Sequence, residues 1–232
     1  MNSALTPVDS AADGLALEAA AFAADGLVIC LWSPRRRALV CPANLRRREG
    51  FDRARHRSAA NGWPVYLRPT GGGAVPQGPG VLNLALAFTA HQRFTIEDGY
   101  RLITRVICDA IPAGWTTGAT PYSFCDGAWN MSLTDRKVVG TAQRIHPIGG
   151  GRRRILAHAL ILVKGDIAAG AAAVGGFHRD LGLGPVKAGV HTTLESVLPT
   201  PRDPVQTLAV SLHDRAQQEI ARPTPRPDSI AA

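Results

Sequence analysis

Three consecutive glycines, Gly71-Gly72-Gly73, follow a short apolar run and the tripeptide Arg68-Pro69-Thr70. Glycine gives up more backbone freedom on folding than any other residue, so such a triplet is unfavourable inside a helix or strand. It marks a place where the chain takes positive φ or lies hard against another group. Val65-Tyr66-Leu67-Arg68 reads as the strand leading in. After Pro76-Gln77-Gly78-Pro79-Gly80, Val81 to Phe88 reads as a buried strand leading out. The backbone N–H groups of the loop can form a concave anion site, with Arg68 adding charge. Read alone, the loop is equally a hairpin or bulge turn. It contains neither G-x-G-x-x-G nor G-K-[ST], which excludes a dinucleotide fingerprint and a P-loop.

The rest of the chain alternates helical and extended patterns. An Ala- and Leu-rich stretch over 9–25 reads as a helix, capped by Asp9 or Ser10 and ended by Gly26. Val28 to Trp32 and Ala38 to Cys41 read as a hairpin turned by Pro34 and an Arg triplet. Residues 50–61 read as a helix ended at Asn61-Gly62. Thr95-Ile96-Glu97-Asp98 resembles a capping box. The helix behind it carries Ile96, Tyr100, Ile103, Ile107 and Ile111 at helical spacing, and Pro112 stops it. Trp129–Leu133, Val138–Ile145 and Ile155–Val163 read as a three-stranded meander. A short helix over 167–174 and a last one over 205–221 complete an α+β fold with a mixed sheet.

At 232 residues, 45% hydrophobic and 19% charged, the chain is long enough for one well-buried domain. The expected division is a single catalytic-type domain over 1–222 and a Pro-rich tail over 223–232. No apolar stretch is long enough to span a membrane. The first residues lack a basic segment before an apolar core, so a cytoplasmic location is expected. Cys30, Cys41, Cys108 and Cys125 show no C-x-x-C spacing, which disfavours a zinc site or a disulfide framework. The net charge of +8 implies an anionic partner. Nucleic acid is disfavoured by sparse aromatics and by the absence of helix-turn-helix, zinc-finger or RNP patterns. The Arg triplets 35–37 and 46–48 read as solvated faces, whereas 152–154 lies in a loop suited to clamping a phosphate or an acidic carrier.

A second constellation is Asp135-Arg136-Lys137-Val138-Val139-Gly140-Thr141-Ala142-Gln143-Arg144. A lysine opens a strand that turns apolar and then small, with Gly140 leaving room beside it. A partly buried lysine can hold a carboxylate, an acyl carbonyl or a phosphate as a point charge. The alternative is a surface lysine on a hairpin.

Together R-x-T-G-G-G-A, the strand containing Asn83, and K-x-x-G-x-A-Q-R resemble the catalytic domain of lipoate–protein ligase A and of lipoyl (octanoyl) transferases. That family belongs to the biotin/lipoate protein ligase superfamily. Gly62-Trp63-Pro64-Val65, the strand Leu156 to Val163, and Gly189-Val190-His191-Thr192-Thr193-Leu194 extend the likeness over roughly residues 12–200. It implies a mixed sheet flanked by helices, of the class II aminoacyl-tRNA synthetase/biotin synthetase type. It also implies attachment of lipoate or octanoate to a lysine of an acidic lipoyl carrier domain, either a 2-oxoacid dehydrogenase subunit or a glycine-cleavage H protein. The route would pass through acyl-AMP, with ATP and magnesium as cofactors. No nucleic-acid or membrane partner is implied.

By that resemblance Lys137 contacts the activated acyl group. Arg68, Thr70, Gly71, Gly72, Gly73 and Ala74 line the acyl and phosphate channel. Asn83 and Asn130 stand near the nucleotide or acyl carbonyl, Gly140 and Thr141 line the acyl tunnel, and His158 lies on the adjacent strand. Positive groups at acyl and phosphate oxygens would stabilise the charge that develops there. There are departures. The family's A-V-Y-H-D-x-G is here Ala74-Val75-Pro76-Gln77-Gly78-Pro79-Gly80, and Trp129-Asn130 replaces Asn-Asp, which puts a carboxylate-held magnesium in doubt. The accessory C-terminal domain of the longer ligases is not expected, so adenylation would be weak, absent, or dependent on a separate accessory chain. One octanoyltransferase branch forms a thioester on a cysteine in the region of Cys125. The alternatives are therefore a thioester-dependent octanoyltransferase using Cys125 and a non-catalytic acyl-binding paralogue, with Cys125 a structural thiol in the latter. Biotin ligation is disfavoured because the loop lacks a G-R-G-R-x-G-R pattern.

Overall fold

A computed structural model describes residues 4–199 and 201–221; the Pro-rich segment 223–232 lies outside them. The chain runs β1 (Thr6–Val8), α1 (Ala11–Ala23), β2 (Val28–Pro34), β3 (Ala38–Pro42), α2 (Phe51–Ala60), β4 (Val65–Arg68) and β5 (Val75–Gln77). Then come β6 (Val81–His91), α3 (Ile96–Ala110), β7 (Thr116–Thr117), β8 (Met131–Leu133), β9 (Arg136–Gly149) and β10 (Arg152–Leu162). The last elements are α4 (Ile167–Asp180), α5 (Leu194–Val197) and α6 (Pro204–Ala221).

The long strands form a 7-stranded mixed sheet in the order β1-β2-β6-β10-β9-β8-β7. All its pairs are antiparallel except β1 with β2. A 3-stranded sheet, β4-β3-β5, lies apart. This corrects the expected hairpin: β2 pairs with β6 and β3 with β4 and β5, so the Arg35–Arg37 turn carries the chain from one sheet to the other. β2 is therefore a strand of the large sheet, and its Leu31 and Trp32 are buried in two different cores.

One core joins Leu82, Leu84 and Leu86 of β6 to Ile103, Val106 and Ile107 of α3 and to Leu212 of α6. The other joins Trp32 to the small sheet, to Phe51 of α2 and to Val174 and Phe177 of α4. Both expected caps occur: Ser10 with Asp13 on α1, and Thr95 with Asp98 on α3. Ile96, expected inward, is exposed, because the buried stripe of α3 runs through Gly99, Ile103, Val106 and Ile107. α4 passes through Gly175-Gly176 to Asp180, past the expected end, because Phe177 packs edge-on against Phe51.

The Arg152–Arg154 triplet opens β10 and does not sit in a phosphate-clamping loop. Arg154 is buried and donates to the carbonyls of Ala21, Phe22 and Gly26, supplying the C-terminus of α1 with the cation its own last turn lacks. Among the described residues no helix is long and apolar enough to cross a membrane.

Candidate active site

The register of the large sheet builds the site. Trp32 of β2 lies opposite Asn83 of β6, Asn83 opposite Leu160 of β10, and Leu160 opposite Gly140 of β9. Two residues along, His158 lies between Ala85 and Ala142. Directly opposed residues share a face, and so do residues two apart on a strand. These two rows therefore form one surface, on which Gly140 and Ala142 are too small to fill the space above them. The result is a mostly apolar cavity of about 40 Å³, closed by Leu15 of α1, Val40 of β3, Val75 of β5 and Cys125.

Cys125 belongs to the connection between β7 and β8, and two residues of that turn, Tyr122 (φ 66°) and Cys125 (φ 54°), are left-handed. A non-glycine residue held there costs about 1–3 kcal/mol and persists only where its surroundings dictate it. Several contacts do so. Lys137 Nζ donates to Phe124 O at 2.6 Å and to Cys125 O at 2.7 Å. Asn130 Nδ2 donates to Cys125 O at 3.3 Å. Thr120 N–H donates to Asp126 Oδ1, closing the turn from outside.

The turn presents the sulfur of Cys125 to the glycine loop. Gly73 N–H donates to Cys125 Sγ at 3.1 Å, and Arg68 Nη2 stands 4.0 Å away. A Cβ on Gly72, at φ +98°, would meet Sγ at 2.6 Å, and one on Gly73 would meet Cys125 Cα at 3.0 Å. The glycines are thus required by the approach of Cys125. Arg68 is buried and donates to Val40 O, Gly71 O and Gly73 O, so it fixes the loop from beneath. Burial depresses its pKa and that of Lys137, which is only 1% exposed and falls from 10.5 to about 8. Burial pushes the thiols of Cys30 and Cys41 up to about 12 and about 11, leaving both protonated.

The opposite wall carries a buried polar chain. Trp32 Nε1 donates to Glu18 Oε1 at 3.0 Å, Glu18 Oε2 lies 3.0 Å from His158 Nδ1, and His158 Nε2 lies 3.0 Å from Thr70 Oγ1. α1, β2, β10 and the glycine loop meet in it. The cavity also meets a reciprocal amide pair: Gln77 Nε2 donates to Asn83 Oδ1 and Asn83 Nδ2 donates to Gln77 Oε1.

Of the expected site residues, Arg68, Asn83, Cys125, Gly140, Thr141 and His158 line the cavity. Lys137, Thr70, Gly72, Gly73 and Asn130 stand behind them and position them. Gly71 is exposed and offers only its carbonyl, to Arg68, while Ala74 is fully buried in the second core. Glu18, Trp32, Gln77 and His191 were not singled out from the sequence. Glu18 carried one signal, as the one acid of α1 beyond its capped first turn, and Gln77 stands where the family pattern has histidine. Among the described residues no group of three or more His, Cys, Asp or Glu side chains could hold a metal ion.

A fold of this kind, with a glycine loop and a K-x-x-G strand meeting at one cavity, defines a class. The chain belongs to the lipoyl protein ligase A/B catalytic domain family, whose model matches residues 38–202. An uncharacterized Cupriavidus necator protein is 40% identical over 143 residues, covering 55% of this chain and 56% of that protein. The octanoyl-[GcvH]:protein N-octanoyltransferase of Kyrpidia tusciae is 35% identical over 143 residues, covering 58% and 50%. The chain therefore spans about half the length of these curated relatives. Among solved structures, lipoate-protein ligase A bound with ATP superposes with a TM-score of 0.67 at 16% identity, covering 92% of this chain and 83% of that one. Thermoplasma acidophilum protein Ta0514 with bound lipoic acid superposes at 0.66 and 17% identity, with the same coverage. These likenesses show the fold, and it is the class II synthetase-like one that the motifs implied.

Proposed function

We propose that the protein transfers an octanoyl or lipoyl group to a lysine of a lipoyl carrier domain, by way of a thioester on Cys125. The observation that carries this reading is the placement of Cys125 Sγ. It ends a strained turn, lines the apolar cavity and accepts a hydrogen bond from the glycine loop at 3.1 Å. Nucleophiles are commonly held in this way, on backbone whose strain fixes the direction of attack.

In the first step Sγ bonds to the acyl carbon, the donor's bond to that carbon breaks, and the thiol proton leaves with the departing group. In the second step the acceptor amine bonds to the same carbon, the C–S bond breaks, and the amine's surplus proton returns to sulfur. Gly73 N–H and Arg68 lie where negative charge gathers at the reacting centre, and the apolar walls must part beyond the 40 Å³ they now enclose to take the acyl chain. The relatives named as octanoyl-[GcvH] transferases support an acylated carrier as donor and a second carrier as acceptor.

Direct ligation of the free acid with ATP is a second reading, favoured by the likeness to the ATP-bound ligase. The residues present do not fit nucleotide phosphate as they stand. Arg68, which the resemblance places in the acyl and phosphate channel, and Lys137, which it places at the activated acyl group, are both bonded to backbone carbonyls. Magnesium meets no carboxylate pair at Asn130. Intact-mass analysis decides between the routes, using wild-type protein and Cys125→Ala with an apo lipoyl domain as acceptor. Octanoyl-carrier and free octanoate plus ATP serve as alternative donors. The thioester reading expects an octanoyl adduct on the wild-type protein, absent in Cys125→Ala together with transfer. Unimpaired transfer by Cys125→Ala would refute it, and dependence of that transfer on ATP would establish ligation.

A further inference from the structure

We infer that His191 is a positioning residue for Cys125, acting through the peptide of Phe124; the inference rests on the reading of Cys125 as nucleophile. His191 lies beyond β10 and α4, in the short helical turn region that follows Ala188–Val190. It is 3% exposed and its ring lies flat on that of Phe124, 3.9 Å between centroids and 11° between planes. Its Nε2 accepts the Phe124 N–H at 3.1 Å.

Phe124 is thereby gripped at both ends. Its N–H goes to His191 and its carbonyl to Lys137 Nζ. The two grips are themselves joined, because Thr192 N–H donates to Lys137 O at 2.9 Å and Lys137 and His191 form a parallel bridge. One step upstream, Lys187 N–H donates to Tyr122 O, and Lys187 Nζ stands 4.0 Å over the Tyr122 ring. The segment 187–192 is thus a clasp laid along the strained turn. Removing any one hold lets the left-handed Cys125 relax toward ordinary backbone and carries Sγ away from Gly73 N–H.

The grip requires a neutral imidazole with its proton on Nδ1, since only an unprotonated Nε2 can accept. Nδ1 faces the carbonyl of Ala188 at 3.4 Å, which suits that tautomer. The charge that faces the ring is the Lys137 ammonium, and the backbone carbonyls of Ala188 and Lys187 stand beside the imidazole. Burial and the positive charge of Lys137 drive the imidazole's pKa down to about 4, so it stays neutral wherever the enzyme is assayed.

Two measurements on the full chain test this. In the wild-type protein, the ¹⁵N chemical shifts of the His191 ring should show a neutral Nδ1–H tautomer; an imidazolium or an Nε2–H tautomer at neutral pH overturns the inference without any variant. In the second, His191→Phe keeps a flat ring against Phe124 but has no acceptor, whereas His191→Gln restores an acceptor oxygen. Alkylation of Cys125 by iodoacetamide, followed by mass spectrometry, should slow about tenfold or more in His191→Phe, and His191→Gln should recover most of the loss. The transfer reaction should show the defect in kcat, with KM for the carrier unchanged. Equal alkylation of wild-type and His191→Phe, or no recovery in His191→Gln, overturns the role. Alkylation requires no catalysis, so it reads the clasp even if Cys125→Ala retains transfer and the thioester reading itself has failed.

Discussion

Lys137→Met is the most informative single substitution, because it should separate stability from activity. The ammonium is buried and its pKa stands at about 8 instead of 10.5, with burial the chief cause. At about 1.36 kcal/mol for each factor of ten, holding that proton costs the folded state about 3 kcal/mol at neutral pH. Methionine recovers this cost and keeps most of the stem's packing. Against that, Phe124 O loses its donor, a loss of about 1–3 kcal/mol, while Cys125 O retains Asn130 Nδ2. The two nearly cancel, so the variant should unfold within about 2 kcal/mol of the wild type at neutral pH, as buried charges replaced by apolar groups often do. The pH dependence carries the sharper signature. Below pH about 8 both folded and unfolded wild-type chains hold the proton. Between about 8 and 10.5 the unfolded chain still binds it and the folded one does not, so wild-type stability gains up to about 3 kcal/mol relative to Lys137→Met as pH rises. Paired urea melts across that range, subtracted one from the other, remove the contribution of every other titrating group. Cys125 acylation by the donor should meanwhile fall at least about tenfold, as the turn loses the hold that maintains its strain. Parallel stability curves from pH 8 to 10.5, or a wild-type acylation rate in the variant, would refute the reasoning.

Two further outcomes follow from the same geometry. Gly72→Ala places a methyl group 2.6 Å from Cys125 Sγ at a φ of +98°; it should depress iodoacetamide alkylation and acyl-enzyme formation together, by about tenfold or more, with only about 1–2 kcal/mol lost in a urea melt because the position is exposed. Glu18→Leu leaves Trp32 Nε1 and His158 Nδ1 without their shared partner and should cost about 1–3 kcal/mol of unfolding free energy, whereas an unchanged midpoint would mean that the polar chain adds nothing to stability.

Much of this site could be read before the fold was known, and the reasons are local. Three glycines in a row and a K-x-x-G strand are patterns that a short window contains, and both lie at the cavity. The caps at Ser10 and Thr95 and the meander of β8 to β10 are likewise written in adjacent residues. What the sequence could not convey was pairing at long range. The Arg35–Arg37 turn looks the same whether its flanking strands pair with each other or with β6 and β4. The Arg152–Arg154 triplet reads as a loop suited to an anion until β10 is laid beside β6 and Arg154 meets the end of α1, more than 125 residues away in sequence. Glu18 and His158 are 140 residues apart, and His191 and Phe124 67; no spacing rule joins them.

The direction in which the buried cations point follows from the same long-range pairing. Arg68 bonds the carbonyls of Val40, Gly71 and Gly73, and Lys137 bonds those of Phe124 and Cys125. Each cation organises one of two backbone segments, and the segments meet at the hydrogen bond from Gly73 N–H to Cys125 Sγ. A carbonyl bonded to a buried cation is hard to release, because the charge would be left without a partner in a poorly solvated place. The two cations therefore fix the geometry around the sulfur more firmly than neutral donors would. In the proposed thioester route the charge of Arg68, 4.0 Å from Cys125 Sγ, would favour a developing oxyanion without binding to it directly. A site wired in this way suits the proposed acyl intermediate on sulfur, since the groups that hold Cys125 need not let go of it for that route to run.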